Sequence, residues 1–214
     1  MAGNGTDYIT DSNPKAYDRF LAPMELVWFA KWRKRMLSPL EGEVLDIGSG
    51  TGTNLRYYPD EVGCVTVVDP NHENISYLSR KAEGWGYGGD NGRCLNTHIG
   101  YGEKLPFEDN KFDSVVSTLI LCTVEDPESV IREGIRVLKP GGRFVFIEHQ
   151  LPKIAPQAFV FNLISPVWHA PSGCNLNRRT EASIRSMKEI EEIESFRGGP
   201  VLGYPFFIGS FQKI

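Results

Sequence analysis

Three glycines at alternate positions, Gly48, Gly50 and Gly52, follow the β-prone residues Val44, Leu45 and Ile47, with Asp46 set among them. Backbone without a Cβ turns sharply and lets a small molecule approach closely, so this run reads as a strand that ends against a ligand. Ser49 and Asn54 belong to the same turn. A second apolar run, Cys64–Val68, ends on Asp69, about 20 residues beyond the glycines, where a carboxylate meets ribose hydroxyls in doubly wound sheets. Together the two features point to a nucleotide-like cofactor. Each also has a plain structural reading, with Asp46 capping a turn and Asp69 capping the next helix. A dinucleotide fingerprint, GxGxxG, needs a third glycine where this chain has Thr53, so a nicotinamide cofactor fits imperfectly.

Further along, His149 closes the apolar run Arg143–His149 and is the best placed general-base candidate; the alternative is a hydrogen-bonded structural histidine. The segment Leu151–Asn177 inserts an apolar, aromatic stretch, Ala158–Trp168, where substrate caps are usually built. It brings two more candidates, His169 and Cys174. Each either lines an acceptor pocket or is an ordinary half-buried side chain. His72 and His98 read as structural or surface residues. Nowhere do His, Cys and carboxylates gather at ligand spacing, so no metal is expected.

These residues need elements to place them. Pro23 suits the first turn of a helix running to Leu37 and stopped by Pro39, with Met24, Trp28, Trp32 and Met36 on one face and Lys31, Arg33, Lys34 and Arg35 near its end. That helix is either a core-packed lid over the cofactor or a membrane-interface helix. Helices are expected over His72–Ala82 and Pro127–Leu138, and strands over Cys94–Ile99, Phe112–Thr118 and Arg143–His149, the last introduced by a turn at Pro140, Gly141 and Gly142. Residues 1–13 are expected to be mobile, and Gly84–Gly92 to be a flexible loop. Ile190, Ile193 and Phe196 have helical spacing. Strands alternating with helices argue for a parallel sheet.

The order Asp46, Gly48, Gly50, Gly52 resembles the first motif of class I S-adenosylmethionine-dependent methyltransferases. Asp69, Pro70 and Asn71 match that family's ribose-binding strand end, Glu103–Phe107 its adenine-side loop, and Val137–Phe144 the entry to its fifth strand. The resemblance covers most of Val44–Gln150. It implies a Rossmann-like, doubly wound α/β sheet of seven strands, mostly parallel, with an antiparallel C-terminal hairpin strand at Phe206–Phe211 and a strand at Ile190–Phe196. It also implies S-adenosylmethionine as cofactor. Asp46 and the glycine backbone then hold the methionine part and Asp69 the ribose. Tyr101, Gly102 and Glu103 border adenine, with Tyr101 where many members have a carboxylate. Thr118 and Leu119 end the fourth strand, where the Leu119 backbone meets the cofactor's amino group. Pro166–His169 and Gly173–Leu176 look like the thiol methyltransferase branch, whose members act on small alkyl thiols. Where that branch has an N-terminal hydrophobic anchor, this chain offers the Pro23–Leu37 helix. Phosphatidylethanolamine N-methyltransferases and quinone C-methyltransferases share the motif set, and a non-catalytic cofactor-binding regulator keeps the same motifs without turnover.

Composition sets the bounds. With 214 residues, 41% hydrophobic and 23% charged, the chain suits a single domain. Residues 1–40 form its tail and helical lid, 41–150 its cofactor-binding core, 151–180 its substrate cap and 181–214 its terminal strands. A net charge of −4 gives no electrostatic footprint for nucleic acid. Four scattered cysteines without a CxxC pair suggest a reduced, cytoplasmic-type protein. No basic and apolar leader is evident and no apolar run nears the roughly 18 residues that span a bilayer, leaving peripheral membrane contact through Pro23–Leu37 as the alternative.

Overall fold

The computed structural model describes residues 13–88, 92–199 and 205–214. Most of the tail expected to be mobile, and 89–91 of the glycine-rich loop, lie outside these residues. Seven strands form one sheet in the order β3-β2-β1-β4-β5-β7-β6. They are β1 (Gly42–Ile47), β2 (Val62–Asp69), β3 (Cys94–Ile99), β4 (Phe112–Thr118), β5 (Leu138–His149), β6 (Ile190–Gly198) and β7 (Phe206–Lys213). β1 pairs in parallel with β2 and β4, β2 with β3 and β4 with β5, whereas β7 runs antiparallel to both β5 and β6. The doubly wound α/β sheet and its antiparallel end are therefore as expected. The helical spacing of Ile190, Ile193 and Phe196 gives way to a strand because β7 supplies an antiparallel partner along its length.

Alternate residues of the central strands feed two cores. Leu45, Ile47, Val115, Phe144 and Phe146 pack on one face against helix α4 (Pro127–Val137) and the short α6 (Thr180–Arg185). Val44, Val65, Val67, Val145 and Ile147 face the other way, towards α3 (His72–Glu83) and the N-terminal helices. With both faces covered, the inner strands are mostly apolar, with Asp46, Ser114 and Ser117 as buried polar exceptions.

The N-terminal helix departs from expectation. α1 spans Pro14–Met24, with Pro14 in its first turn and the Asn13 side chain accepting from the Ala16 amide at 3.0 Å. Pro23 thus lies inside the helix, where it cannot donate to the preceding turn, and the chain widens into a π turn over Glu25–Phe29 before resuming as α2 (Ala30–Leu37). The wider turn rotates the buried face. Phe29, Trp32, Arg33, Met36 and Leu37 are buried, while Met24 and Trp28 are only partly covered.

Three smaller corrections follow. α4 ends at Val137 and β5 starts at Leu138, with the Pro140–Gly142 turn absorbed as an irregularity between the Phe112↔Leu138 and Ser114↔Arg143 pairs. The described start of the glycine-rich loop is pinned: Tyr87 is buried, its hydroxyl donating to the Leu55 carbonyl at 3.0 Å. Cys64 and Cys94, direct partners across β2 and β3, are joined by a disulfide, so two of the four thiols expected to be reduced are not. The apolar cap stretch folds as one helix, α5 (Ala155–Ser172).

Candidate active site

β1 delivers the chain to the carboxyl edge of the sheet, and the Gly48 and Ser49 amides there both donate to the Val68 carbonyl at the end of β2. Gly48, Gly50 and Gly52 all have positive φ. Gly48 and Gly52 are packed so tightly that an added Cβ would strike Ile120 and Leu78, respectively. At Gly50 the φ is 52°, and a Cβ would meet nothing nearer than the Gly48 carbonyl at 4.0 Å. Only a bare backbone keeps that space open. Beside it the Ser49 hydroxyl is buried without a hydrogen-bond partner among the described residues.

That open side faces a cavity of about 520 Å³. Its floor is Gly48, Ser49, Gly50 and Asn54, its far wall Thr118 and Leu119, and its roof α1, the π turn and α2, through residues that include Tyr17, Glu25 and Arg33. Two carboxylates fasten the roof. Asp18 accepts from Thr51 Oγ1 at 2.5 Å, Tyr77 OH at 3.2 Å and Lys81 Nζ at 2.6 Å. Glu25 accepts from Arg33 Nε at 3.2 Å, Arg56 Nη2 at 3.1 Å and Tyr57 OH at 2.8 Å. Arg33 is 5% exposed, and its guanidinium also donates to Asn54 Oδ1. It stood in the sequence as one of four clustered basic residues, yet the other three are exposed. Phe29 and Leu37, four residues to either side, were the signal that Arg33 shares the buried face.

Below the floor, Asp46 is buried and accepts from Asn54 Nδ2 at 3.1 and 3.0 Å and from Tyr58 OH at 3.0 Å. Burial pushes its carboxyl up to about 6, and the Asn54 and Tyr58 hydrogen bonds oppose this. Asp46 therefore acts through Asn54, which does line the cavity. Asp69 accepts from Gly50 N at 2.8 Å, Asn71 N at 2.9 Å and Asn74 Nδ2 at 3.2 Å, tying the glycine loop to the start of α3. Asn71 caps that helix by accepting from Glu73 N and Asn74 N. Asp69, Pro70 and Asn71 end β2 and Tyr101, Gly102 and Glu103 follow β3, all at the same sheet edge but outside the walls of this cavity. Tyr101 is 68% exposed.

At the far wall, Leu119 holds a φ of 59°, uncommon for a branched side chain, with its amide on the Ile147 carbonyl at 2.9 Å. The following turn is held by Glu148, which accepts from Ser117 Oγ at 2.7 Å, Ile120 N at 3.2 Å and Leu121 N at 3.1 Å. Burial pushes this carboxyl up to about 7. Sequence reasoning missed Glu148 as a positioning residue, although a carboxylate beside four apolar strand positions was the available signal.

The three catalytic candidates do not line the cavity. His149 is 8% exposed, stacked on Phe161 and edge-on to Phe206, and its Nδ1 lacks a hydrogen-bond partner among the described residues. Burial holds it down to about 4, so it is neutral at pH 7. His169 is in the last turn of α5, its carbonyl accepting from Gly173 N at 2.8 Å. Cys174 lies against Cys122, the thiol at the far wall's turn. Both thiols act electrostatically on Tyr17, whose hydroxyl is pushed up mainly by burial.

Comparison with known proteins identifies the family and fold. Residues 45–146 match a family model described as a methyltransferase domain. Thiol S-methyltransferase TMT1B of Homo sapiens is 34% identical over 185 residues, covering 79% of this chain and 70% of that protein. The Rattus norvegicus TMT1B is 37% identical over 151 residues, covering 65% of this chain but 57% of the relative's length. Among solved structures, N-methyltransferase NodS from Bradyrhizobium japonicum, in complex with S-adenosylhomocysteine, has the same fold, with a TM-score of 0.61 at 17% identity over 99% of this chain and 93% of its own. The chain belongs to the S-adenosylmethionine-dependent methyltransferase family, among relatives that include the thiol S-methyltransferases.

Proposed function

We propose that the chain transfers the methyl group of S-adenosylmethionine to a small thiol. The observation that carries the first half is the cavity under α1 and α2, where Gly50 leaves backbone open and Ser49 keeps an unused hydroxyl. The cofactor supplies a sulfonium methyl that leaves behind a neutral thioether. Arg33 offers a buried cation to the cofactor's amino-acid carboxylate, and Asn54, held by Asp46, offers its amide beside it. In the same reading Asp69, Pro70 and Asn71 serve the ribose, Tyr101, Gly102 and Glu103 the adenine, and Thr118 and Leu119 the amino group.

The thiol half rests on what the residues offer the acceptor. A useful general base has a pKa near the working pH. His149, held to about 4, takes a proton poorly at pH 7. Asp18 and Glu25 at the cavity are tied into ion pairs, and Glu148 and Asp46, raised to about 7 and about 6, are buried and do not line it. A small thiol with a cysteine-like pKa of about 8.5 brings a fraction of its own thiolate and needs only alignment and exclusion of water. The thiol S-methyltransferase names of its relatives support the same acceptor. S-adenosylhomocysteine release is to be measured with a small alkyl thiol, a demethylated quinol and phosphatidylethanolamine vesicles in parallel. Release with the thiol alone is expected; release with only quinol or lipid would replace the thiol by that acceptor.

Membrane contact is part of this proposal, with its surface moved. Among the described residues no helix is long and apolar enough to cross a membrane. The Pro23–Leu37 segment turns Trp32 inwards, whereas α5 contains no Asp, Glu, Lys or Arg and exposes Phe159, Leu163 and Val167 by 70%, 69% and 77%. Phe20 of α1, 61% exposed, extends that face through its contact with Trp168. An apolar face of this kind supports shallow insertion into a lipid surface. Leu163→Asp is expected to abolish flotation with phosphatidylcholine vesicles; equal flotation of both proteins would reject the surface.

A further inference from the structure

Two thiols remain after the Cys64–Cys94 disulfide is accounted for, and they are neighbours. Cys122 is buried in the turn after β4, and Cys174 is half-buried just beyond α5. The two thiols are within electrostatic reach of each other, and Cys122 Sγ lies 3.6 Å from the Leu119 carbonyl. The backbones are clamped as well: Asn175 donates to the Cys122 carbonyl twice, from N at 2.8 Å and from Nδ2 at 3.0 Å. On the cap side, Cys174 N donates to Ser172 Oγ at 3.2 Å. The pair thus bridges the turn bearing Leu119 at the cofactor cavity and the end of the apolar cap. Tyr17, a roof residue of the cavity, lies within electrostatic reach of both sulfurs.

We propose that Cys122 and Cys174 form a reversible disulfide that ties the cap to the β4 turn and stops acceptor turnover, with peroxide as the oxidant. Cys174, the more accessible thiol, attacks the peroxide O–O bond as thiolate, giving a sulfenic acid and hydroxide. The Cys122 sulfur then attacks the Cys174 sulfur, forming the S–S bond while the second hydroxide departs and takes up the Cys122 proton. Two thiols and one hydrogen peroxide become one disulfide and two waters. The Asn175 clamp holds the two cysteines side by side, where thiol rotation and a short approach can close the roughly 2.05 Å bond. The neighbouring Cys174 thiol and then burial push the Cys122 thiol well up, which suits a resolving rather than an attacking sulfur. The effect on turnover rests on the thiol methylation reading above. In that reading the acceptor is also the reductant: one thiol opens the bond as a mixed disulfide and a second releases it, returning both cysteines and leaving an acceptor disulfide.

The test treats the full chain with hydrogen peroxide, blocks remaining thiols by alkylation and maps the linkages by mass spectrometry. A Cys122–Cys174 peptide pair is expected, reversed by dithiothreitol, with Cys64–Cys94 unchanged. In Cys122→Ser, Cys174 is expected to accumulate as a dimedone-trappable sulfenic acid, and Cys174→Ser is expected to leave Cys122 reduced. Alkylation of both cysteines after peroxide, or a stable Cys174 sulfenic acid in the wild type, would overturn the pair. S-adenosylhomocysteine binding should survive oxidation while methyl transfer is lost and then regained on reduction; unchanged transfer by the cross-linked chain would overturn the regulatory half. If the reduced chain methylates no acceptor, the functional reading fails, and the linkage map still decides the disulfide.

Discussion

Glu148 is a wholly buried carboxyl held by Ser117, Ile120 and Leu121, and replacing it with Gln tests whether burial governs that site. Its pKa is raised from 4.5 to about 7. At ~1.36 kcal/mol per pH unit, ionising it in the fold rather than in the unfolded chain costs about 3 kcal/mol. The folded state binds the proton more tightly, so this contribution is fully present below pH 4.5 and is lost as pH rises through about 7. Asp46, raised from 3.8 to about 6, acts in the same direction. His149 opposes them: its pKa falls from 6.5 to about 4, so stability is lost as pH drops through that interval. The net wild-type change is therefore about that of one such group, and the difference between wild type and Glu148→Gln isolates the Glu148 contribution. Urea denaturation followed by circular dichroism at several pH values between 4.5 and 8 is expected to show that difference shift by about 3 kcal/mol in favour of the variant as pH rises. The amide's loss of one acceptor adds an offset that does not vary with pH. A difference that stays constant from pH 4.5 to 8 would refute the reasoning.

Other perturbations follow from the same geometry. Arg33→Met leaves Glu25 without its most buried partner and Asn54 Oδ1 without a donor, and it is expected to cost about 3–5 kcal/mol in urea unfolding and to weaken S-adenosylhomocysteine binding in calorimetry. Asp18→Asn loosens the clasp on α1, so hydrogen exchange over Pro14–Met24 should quicken while global stability falls by only about 1 kcal/mol, as its ion pair with Lys81 is partly exposed. Without a protein base, the pH midpoint of methyl transfer should track the acceptor, moving down by the full difference when a more acidic thiol is used; a midpoint common to both thiols would assign the proton to the enzyme.

The sheet was legible because its signals are local: apolar runs punctuated by glycine and proline, and acidic residues at strand ends. Helix α1 was misplaced because Pro23 and Pro14 offer the same first-turn signal, and only the inserted π turn shows which one starts the helix. That insertion also obscured Arg33: the face read from Met24 and Trp28 leads away from it, and only its i±4 spacing to Phe29 and Leu37 pointed to burial. Residue types marked the glycine loop, Asp46 and Asp69 correctly as neighbours. The roof clasps of Asp18 and Glu25 join residues far apart in the chain, and so does the Cys122–Cys174 contact. Such pairings depend on tertiary packing, which one sequence does not spell out. His149 illustrates the converse: its position at a strand end was readable, but the aromatic enclosure that holds it neutral was not.

The cavity between the N-terminal helices and the glycine loop is the proposed seat of S-adenosylmethionine. Calorimetric titration of the purified chain with S-adenosylhomocysteine, beside Gly50→Val, tests it most directly. The account predicts one site per wild-type chain and loss of that site in a variant that keeps its circular dichroism spectrum, because the new side chain fills the open face of the loop. Absence of binding to the wild type, or equal affinity in the folded variant, would contradict it.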